Sequence, residues 1–322
     1  MTQILAVTGD PYVRHVIRTL VSEGQFDFLE QGDGYGAVQE LVKMAERGDN
    51  LGAVLVDEAL PGVSGKTLAG ILGAVAPSVP CFLLSSSPAG EMGRGAALRR
   101  LPRDVSPATL RKILVEFALP TTRAGLERIV WSPAFTDETG LLLLSFAPEA
   151  DVKGILDALG AAFRMEKCSL VRGAHDAALI LDTLACGSVE DRVSSLAGIR
   201  SSTFIPFEVP KLSAAAALLL GASERVRQEA MDEQSTLEVN PLERARFVQS
   251  YLLMEIDPGV FERVFIAASL MQGVTECYPA RGRGRIVCRM TSDSFAKIDR
   301  TVAEKTGPMG GILKVESYRI LS

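Results

Sequence analysis

The stretch Gly52-Ala-Val-Leu-Val-Asp57-Glu-Ala-Leu-Pro61-Gly-Val-Ser-Gly65 decides how the first third of this chain folds. Five small or apolar residues stop at a carboxylate, and a Pro- and Gly-containing turn follows. A strand buried on both faces reads this way in a parallel sheet, and Asp57 then lies at its carboxyl end, where such sheets carry their sites. The flanks repeat the unit. Ile4 to Val7 is a short apolar strand, and Pro11 suits the first turn of a helix with Val13, Val16, Ile17 and Leu20 at helical spacing. Phe26 to Glu30 reads as a strand and Ala37 to Ala45 as a helix. Cys81 to Leu84 is a strand running into Ser85-Ser-Ser87, Leu98 to Leu101 is a short strand, and Ser106 caps a helix through Phe117. Alternating strands and helices predict a parallel α/β sheet.

The segment Val54 to Gly65 resembles the phosphoacceptor segment of response-regulator receiver domains: the Asp, the Pro four later and the Gly eight later all match. The likeness covers about residues 3 to 118 and implies a flavodoxin-like fold. It places Asp57 at the phosphoacceptor position and Ser85 at the switch Ser/Thr position. In such domains an acidic pair after strand one helps to hold Mg²⁺. Here those positions are Thr8-Gly9, with Asp10 one residue late, so Asp10 and Asp57 are the only carboxylates on offer as metal ligands. The family's Lys before a Pro is replaced by Leu101-Pro102, flanked by Arg100 and Arg103. Two carboxylates make a poor cage for a hard cation. The expectation is a degenerate receiver that is not phosphorylated, with no cofactor unless an active receiver takes Mg²⁺.

The remainder contains an internal repeat. Leu141-Leu-Leu-Leu-Ser-Phe-Ala-Pro148 aligns with Tyr251-Leu-Leu-Met-Glu-Ile-Asp-Pro258. Arg172-Gly173 aligns with Arg281-Gly282, and Leu196-Ala-Gly198-Ile199 with Met309-Gly-Gly311-Ile312. A period this long indicates duplicated domains. Each copy reads strand, helix, strand, turn, strand, helix, strand, the βαββαβ order of an α+β ferredoxin-like fold. One sheet face is left for the copies to cover in each other.

Glu255-Ile-Asp-Pro-Gly-Val-Phe-Glu262, Gly273-Val-Thr-Glu-Cys-Tyr278, the Gly282 turn and Val302 to Glu316 resemble the effector-binding domain of the Lrp/AsnC transcription regulators. The likeness covers about residues 248 to 321, and the first copy, 138 to 209, is similar in layout. It implies ligand positions on the hairpin turns: Gly173 and Asp176 in the first copy, and Arg281, Gly282 and Arg285 in the second, where Arg285 replaces the family's Asp. The helix-turn-helix of that family has no counterpart here. Ser213 to Gln234 reads as one acidic connecting helix, unsuited to a major groove.

Composition narrows the rest. Net charge is −5 and charged residues are 23%, so a basic nucleic-acid footprint is absent. Apolar runs fall short of the ~20 residues of a membrane-spanning helix, and the N-terminus lacks the pattern of a secretory signal. Five cysteines without a CxxC pair predict a reduced cytoplasmic protein, with Cys81, Cys168 and Cys288 packing as small hydrophobes. His15 and His175 are the only histidines, which excludes a His-rich metal site. His175 beside Asp176 reads as a turn histidine, Trp131 as a residue packing a linker, and Arg281-Gly-Arg-Gly-Arg285 as a solvated turn or an anion grip.

The predicted organisation is a receiver-like domain at 1–119, a first ferredoxin-like repeat with its leading linker at 120–210, a connector at 211–247 and a second repeat at 248–322. The predicted function is a non-enzymatic cytoplasmic signalling or regulatory protein that binds other pathway proteins, a small effector and a second copy of itself. Alternatives are an assembly scaffold without a ligand, a true phospho-Asp regulator, and a dimeric α/β-barrel enzyme. The enzyme would need polar groups inside the barrel, where Ser145, Glu255 and Arg289 are the main candidates.

Overall fold

The computed structural model describes residues 2–22, 26–60, 64–86, 98–117, 131–133, 135–182, 188–235 and 247–321. Pro61 and Ser87 of the motifs above, and Cys186, lie outside them. The chain forms two compact units, Met1–Ser132 with Leu212–Glu238, and Pro133–Lys211 with Val239–Ser322.

The first unit is a five-stranded parallel sheet of β1 (Thr2–Val7), β2 (Phe26–Gln31), β3 (Leu51–Asp57), β4 (Cys81–Ser85) and β5 (Leu98–Pro102), in the order β2-β1-β3-β4-β5. That is the flavodoxin-like order of doubly wound sheets. Every residue of β3 is buried, including Asp57. The helices are α1 (Pro11–Ser22), α2 (Gly34–Arg47), α3 (Gly65–Val75) and α4 (Pro107–Phe117). Their starts follow side-chain capping. Asp33 accepts from Gly36 N, Ser64 from Thr67 N, and Ser106 from Thr109 N. Gly65 has a packing reason as well, since a Cβ there would overlap the Asp57 carbonyl oxygen and press on Glu58 Cα.

A further helix, α7 (Ala214–Ser235), belongs to this unit and packs against α2 and α3. It buries Ala215, Ala216, Leu218, Leu219, Leu220 and Ala222. A fully buried leucine contributes about 1.5–3 kcal/mol. The apolar Ala/Leu run, which as sequence reads as a connector, thus extends the receiver-like core. Trp131 donates from Nε1 to Glu224 of α7 (3.0 Å).

The second unit is one eight-stranded antiparallel sheet built from two equal halves. The first half is β6 (Thr139–Phe146), α5 (Val152–Ala162), β7 (Arg164–Arg172), β8 (Ala177–Asp182), α6 (Val189–Ser194) and β9 (Ile199–Pro206). The second is β10 (Val248–Ile256), α8 (Phe261–Ser269), β11 (Val274–Pro279), β12 (Arg285–Ser292), α9 (Phe295–Thr306) and β13 (Ile312–Ile320). The sheet order is β11-β12-β10-β13-β7-β8-β6-β9, so each half runs second, third, first, fourth.

Backbone irregularities repeat along with the order. A register shift falls at Ser145/Phe146 and at Glu255/Ile256, and another at Met165/Lys167 and at Val274/Glu276. Gly198 (φ +91°) accepts from Ala147 N, and Gly311 (φ +89°) accepts from Asp257 N, each at 2.8 Å. A left-handed φ at both positions favours glycine.

The halves meet at two equivalent joints. At one, β13 pairs with β7 through Arg319↔Arg172 and Ile320↔Val171, and Leu321 N donates to Leu170 O. At the other, Phe207 bridges Ala280, Glu208 N donates to Pro279 O (3.0 Å) and Arg281 N to Pro206 O (2.9 Å). The second joint ties the ends of the outermost strands β9 and β11 together, so the sheet closes on itself and its edges are paired. On one face Leu142, Leu144, Leu179 and Leu181 pack with Ile155 and Leu159 of α5. Side chains of the other face point into the closure.

Cys81 and Cys288 are buried, and burial pushes the Cys81 thiol up to about 12. Cys168 corrects the expectation of a packed hydrophobe: it is exposed, on the alternate positions of β7 shared with Arg164, Glu166 and Leu170.

Candidate functional site

The carboxyl ends of β1, β3, β4 and β5 bring together Asp10, Asp57, Ser85 and Arg103. The site follows from chain direction, because four parallel strands end at one edge. Asp57 is wholly buried. Its Oδ1 accepts from Ala59 N (3.1 Å), and its Oδ2 accepts from Thr8 Oγ1 (3.0 Å) and Arg103 Nη2 (3.1 Å). The same Nη2 lies 2.8 Å from Asp10 Oδ2. Asp10 Oδ1 caps α1, accepting from Tyr12 N (2.7 Å) and Val13 N (3.4 Å). Thr8, which stands where the receiver pattern has an acid, both donates to Asp57 and accepts from Asp10 N (3.0 Å). One guanidinium thus sits between two carboxylates and neutralises part of their charge.

Ser85 is engaged sideways. Its hydroxyl donates to Glu58 Oε2, and Lys66 Nζ lies 2.8 Å from Glu58 Oε1. The hydrogen bond from Lys66, then that from Ser85, hold the Glu58 carboxyl below its ordinary range against the effect of burial. A cleft of about 540 Å³ opens beside these groups, lined by Asp10, Tyr12, Ser85, Ser86, Pro102, Arg103 and Asp104.

The residues present do not fit a divalent cation. Each oxygen of Asp10 and Asp57 already accepts from an amide, a hydroxyl or Arg103, and a fixed positive charge stands between the two carboxylates. Among the described residues no three His, Cys, Asp or Glu side chains group as metal ligands.

The positions predicted on the repeats take structural bonds. Asp176 Oδ2 accepts from Phe146 N (2.8 Å), and a Cβ on Gly173 would press on the Tyr318 ring. Arg281 Nη2 donates to Asp137 O (3.4 Å), Gly282 N to Glu208 Oε2 (3.1 Å), and Arg285 Nη2 to Glu255 Oε1 (3.3 Å). Arg281 and Gly282 therefore fasten one joint, and the structure does not gather the five residues into one cluster. His175 Nδ1 is 3.1 Å from Ser145 Oγ, and its ring lies against Tyr318. Burial lowers the His175 pKa, with Glu316 and Asp176 acting the other way.

Sequence reasoning passed over Glu58 and gave Arg103 no role at the site. Inside the second unit it named Arg289 as a polar candidate but passed over the partners Lys167, Gln249, Glu276 and Tyr278. Lys167 Nζ is 2.5 Å from Glu276 Oε1, Tyr278 Oη donates to Glu276 Oε2 (2.8 Å), and Arg289 donates to Glu276 Oε1 (3.3 Å) and Gln249 Oε1 (2.7 Å). Strands β7 and β11 are four places apart in the sheet, so the Lys167–Glu276 contact spans the interior of the closure. The signal was available in the period-2 placement of Gln249/Tyr251 and Glu276/Tyr278.

Comparison with solved structures finds receiver domains over about a third of the chain. The Vibrio cholerae chemotaxis response regulator CheY4 is 18% identical, over 36% of this chain and 98% of that one, at a TM-score of 0.31. The receiver domain of the hybrid histidine kinase CckA is 24% identical, over 35% and 96%, at 0.28. The receiver domain of a Pseudomonas aeruginosa sensor histidine kinase, described with a magnesium ion in its active site cleft, is 22% identical, over 36% and 96%, at 0.27. No family model matches the chain, and no curated protein matches it. Among the described residues no helix is long and apolar enough to cross a membrane.

Proposed function

We propose that the protein is a signalling adaptor whose receiver-like unit is held in one state by an internal cation and serves as a docking module for other proteins. The observation that carries this reading is Arg103, bonded to Asp57 and facing Asp10. Phosphoryl transfer to an aspartate needs Mg²⁺ to neutralise the incoming charge. Here a tethered guanidinium occupies the carboxylates instead. Ser85, the switch position, donates its hydroxyl to Glu58. The unit keeps the fold of a receiver and gives up its chemistry.

In the same reading each half of the second unit is a ferredoxin-like module of the Lrp/AsnC effector-domain type, fused in tandem into a built-in dimer. It is the binding part of the protein, non-enzymatic and without a nucleic-acid partner.

The test is the intact mass of the full chain after acetyl phosphate and Mg²⁺. The expected result is no phosphoryl adduct. An adduct that disappears in Asp57→Asn would overturn the reading and make the protein a phosphorylated switch.

A further inference from the structure

Three polar atoms on the inner face of the second unit are buried with no hydrogen-bond partner within 3.5 Å: Tyr251 Oη, whose hydroxyl has the Ser169 side chain nearby at longer range, Arg289 Nε and Thr291 Oγ1. They are neighbours. Tyr251 lies directly opposite Arg289 on β10 and β12, and Gln249 directly opposite Thr291 two residues along. Alternation puts all four side chains on one face, as the Arg289–Gln249 hydrogen bond requires. Tyr251 is 1% exposed. A buried donor left unmade is costly, so three together mark a place where an acceptor belongs.

Positive charge is in excess there. Lys167 and Arg289 bring two cations, and among the described contacts only Glu276 answers them. Both oxygens of Glu276 are taken by Lys167, Arg289 and Tyr278. One positive charge is left over in a half-buried setting. The free Nε lies on the edge of the guanidinium that binds a carboxylate with two parallel N–H bonds. Lys167, Glu276 and Arg289 are each a fifth to a third exposed, so solvent reaches the cluster.

We propose that this patch binds the carboxylate of a small organic acid, through the Nε edge of Arg289 and the hydroxyl of Tyr251. A monoanion balances the surplus charge, whereas a dianion such as phosphate would reverse it. Thr291 offers a third hydroxyl. Because the patch belongs to the second unit, it stands or falls independently of Arg103.

Thermal unfolding of the full chain at constant ionic strength tests the proposal, with chloride replaced stepwise by acetate, propionate or benzoate, and separately by phosphate. The expected result is a saturable rise in Tm with carboxylate. Arg289→Lys keeps the charge but loses the fork, and should weaken the half-saturation concentration roughly tenfold or more. Tyr251→Phe should raise the Tm without carboxylate, because it deletes a buried hydroxyl that has only a long contact to Ser169, and should weaken the carboxylate response. If Arg289→Lys does not fold, Tyr251→Phe decides alone. A non-saturating response identical in all three proteins overturns the site. So does a Tyr251→Phe variant with a lower Tm and an unchanged response, which would mean that water satisfies the hydroxyl. Saturation by phosphate and not by carboxylate overturns the ligand class.

Discussion

Lys167 and Glu276 hold the same place in the two halves of the second unit, each just after the register shift of its half's second strand, and they form an ion pair with one another. Duplication gives two copies of one position, and divergence has put opposite charges on them. Such a contact ties the copies to each other rather than each to its own helices.

Glu276 should therefore matter more than Lys167. Glu276→Gln leaves Lys167 and Arg289 without their counter-charge and is expected to cost about 2 kcal/mol, while Lys167→Met, which leaves Arg289 on Glu276, should cost about 1 kcal/mol or less. The range is lowered from that of a fully buried pair because these side chains are partly solvated. Urea unfolding of both variants and their double mutant checks the ranking.

Stability should also depend on pH through Glu276. Burial raises its pKa, but hydrogen bonds from Lys167 and Tyr278 and the charges of Lys167 and Arg289 outweigh this, and the folded value falls below the ordinary 4.5. A carboxyl with a depressed folded pKa contributes stability that is present above the unfolded value and lost as pH falls through the folded one. Unfolding midpoints should drop below about pH 4.5, and less steeply in Glu276→Gln; equal slopes would refute the assignment.

Arg103→Ala leaves Asp57 buried with Thr8 and the Ala59 amide but no cation. It is expected to lose about 3 kcal/mol, and Asp57→Asn in the same protein should restore most of it. The same Arg103→Ala protein frees oxygens of Asp10 and Asp57, so added Mg²⁺ should raise its Tm and leave the parent unchanged.

Gly65→Ala should destabilise the first unit by about 3 kcal/mol or more, because the new methyl overlaps the backbone of β3. Gly311→Ala should be similarly severe, since it combines a left-handed φ with a clash against Val260. Gly284→Ala, with no neighbour in reach, is the control and should cost far less.

Leu219→Ala opens a void between α7 and the receiver-like core and should cost 2–5 kcal/mol, the usual range for a buried leucine. Trp131 is the only tryptophan in the chain and bonds to α7, so its fluorescence reports on that helix. An unchanged emission and midpoint in Leu219→Ala would show that α7 is not part of the core.

Much of this protein is legible as sequence. The strand from Gly52 to Val56 is apolar throughout, and that pattern is sufficient to place Asp57 at the carboxyl edge of a parallel sheet. The tandem repeat shows in Pro148/Pro258 and Gly198/Gly311, because turns and left-handed backbone restrict residue type locally. A helix start shows in Ser106, whose side chain caps its own backbone, whereas the Ser64 cap and the helix Gly65–Val75 behind it escape the sequence reading.

Other features were decided only when the chain closed in three dimensions. Arg103 is one of several arginines near β5, and which of them reaches Asp57 depends on how β5 docks beside β4. The Ala/Leu run of α7 has an apolar surface on any reading, but α2 and α3 had to be in place before it could bury that surface. Lys167, Glu276, Tyr251 and Arg289 are spread over 123 residues of chain, counted inclusively from 167 to 289. Arg289 stands out as a polar residue inside the barrel, but Lys167, Glu276 and Tyr251 are ordinary positions of their own strands. Local sequence determines periodicity, caps and turns because those depend on neighbours a few residues away. Ion pairs across a closed sheet depend on strand order and on curvature, which emerge only from the packing of the whole unit.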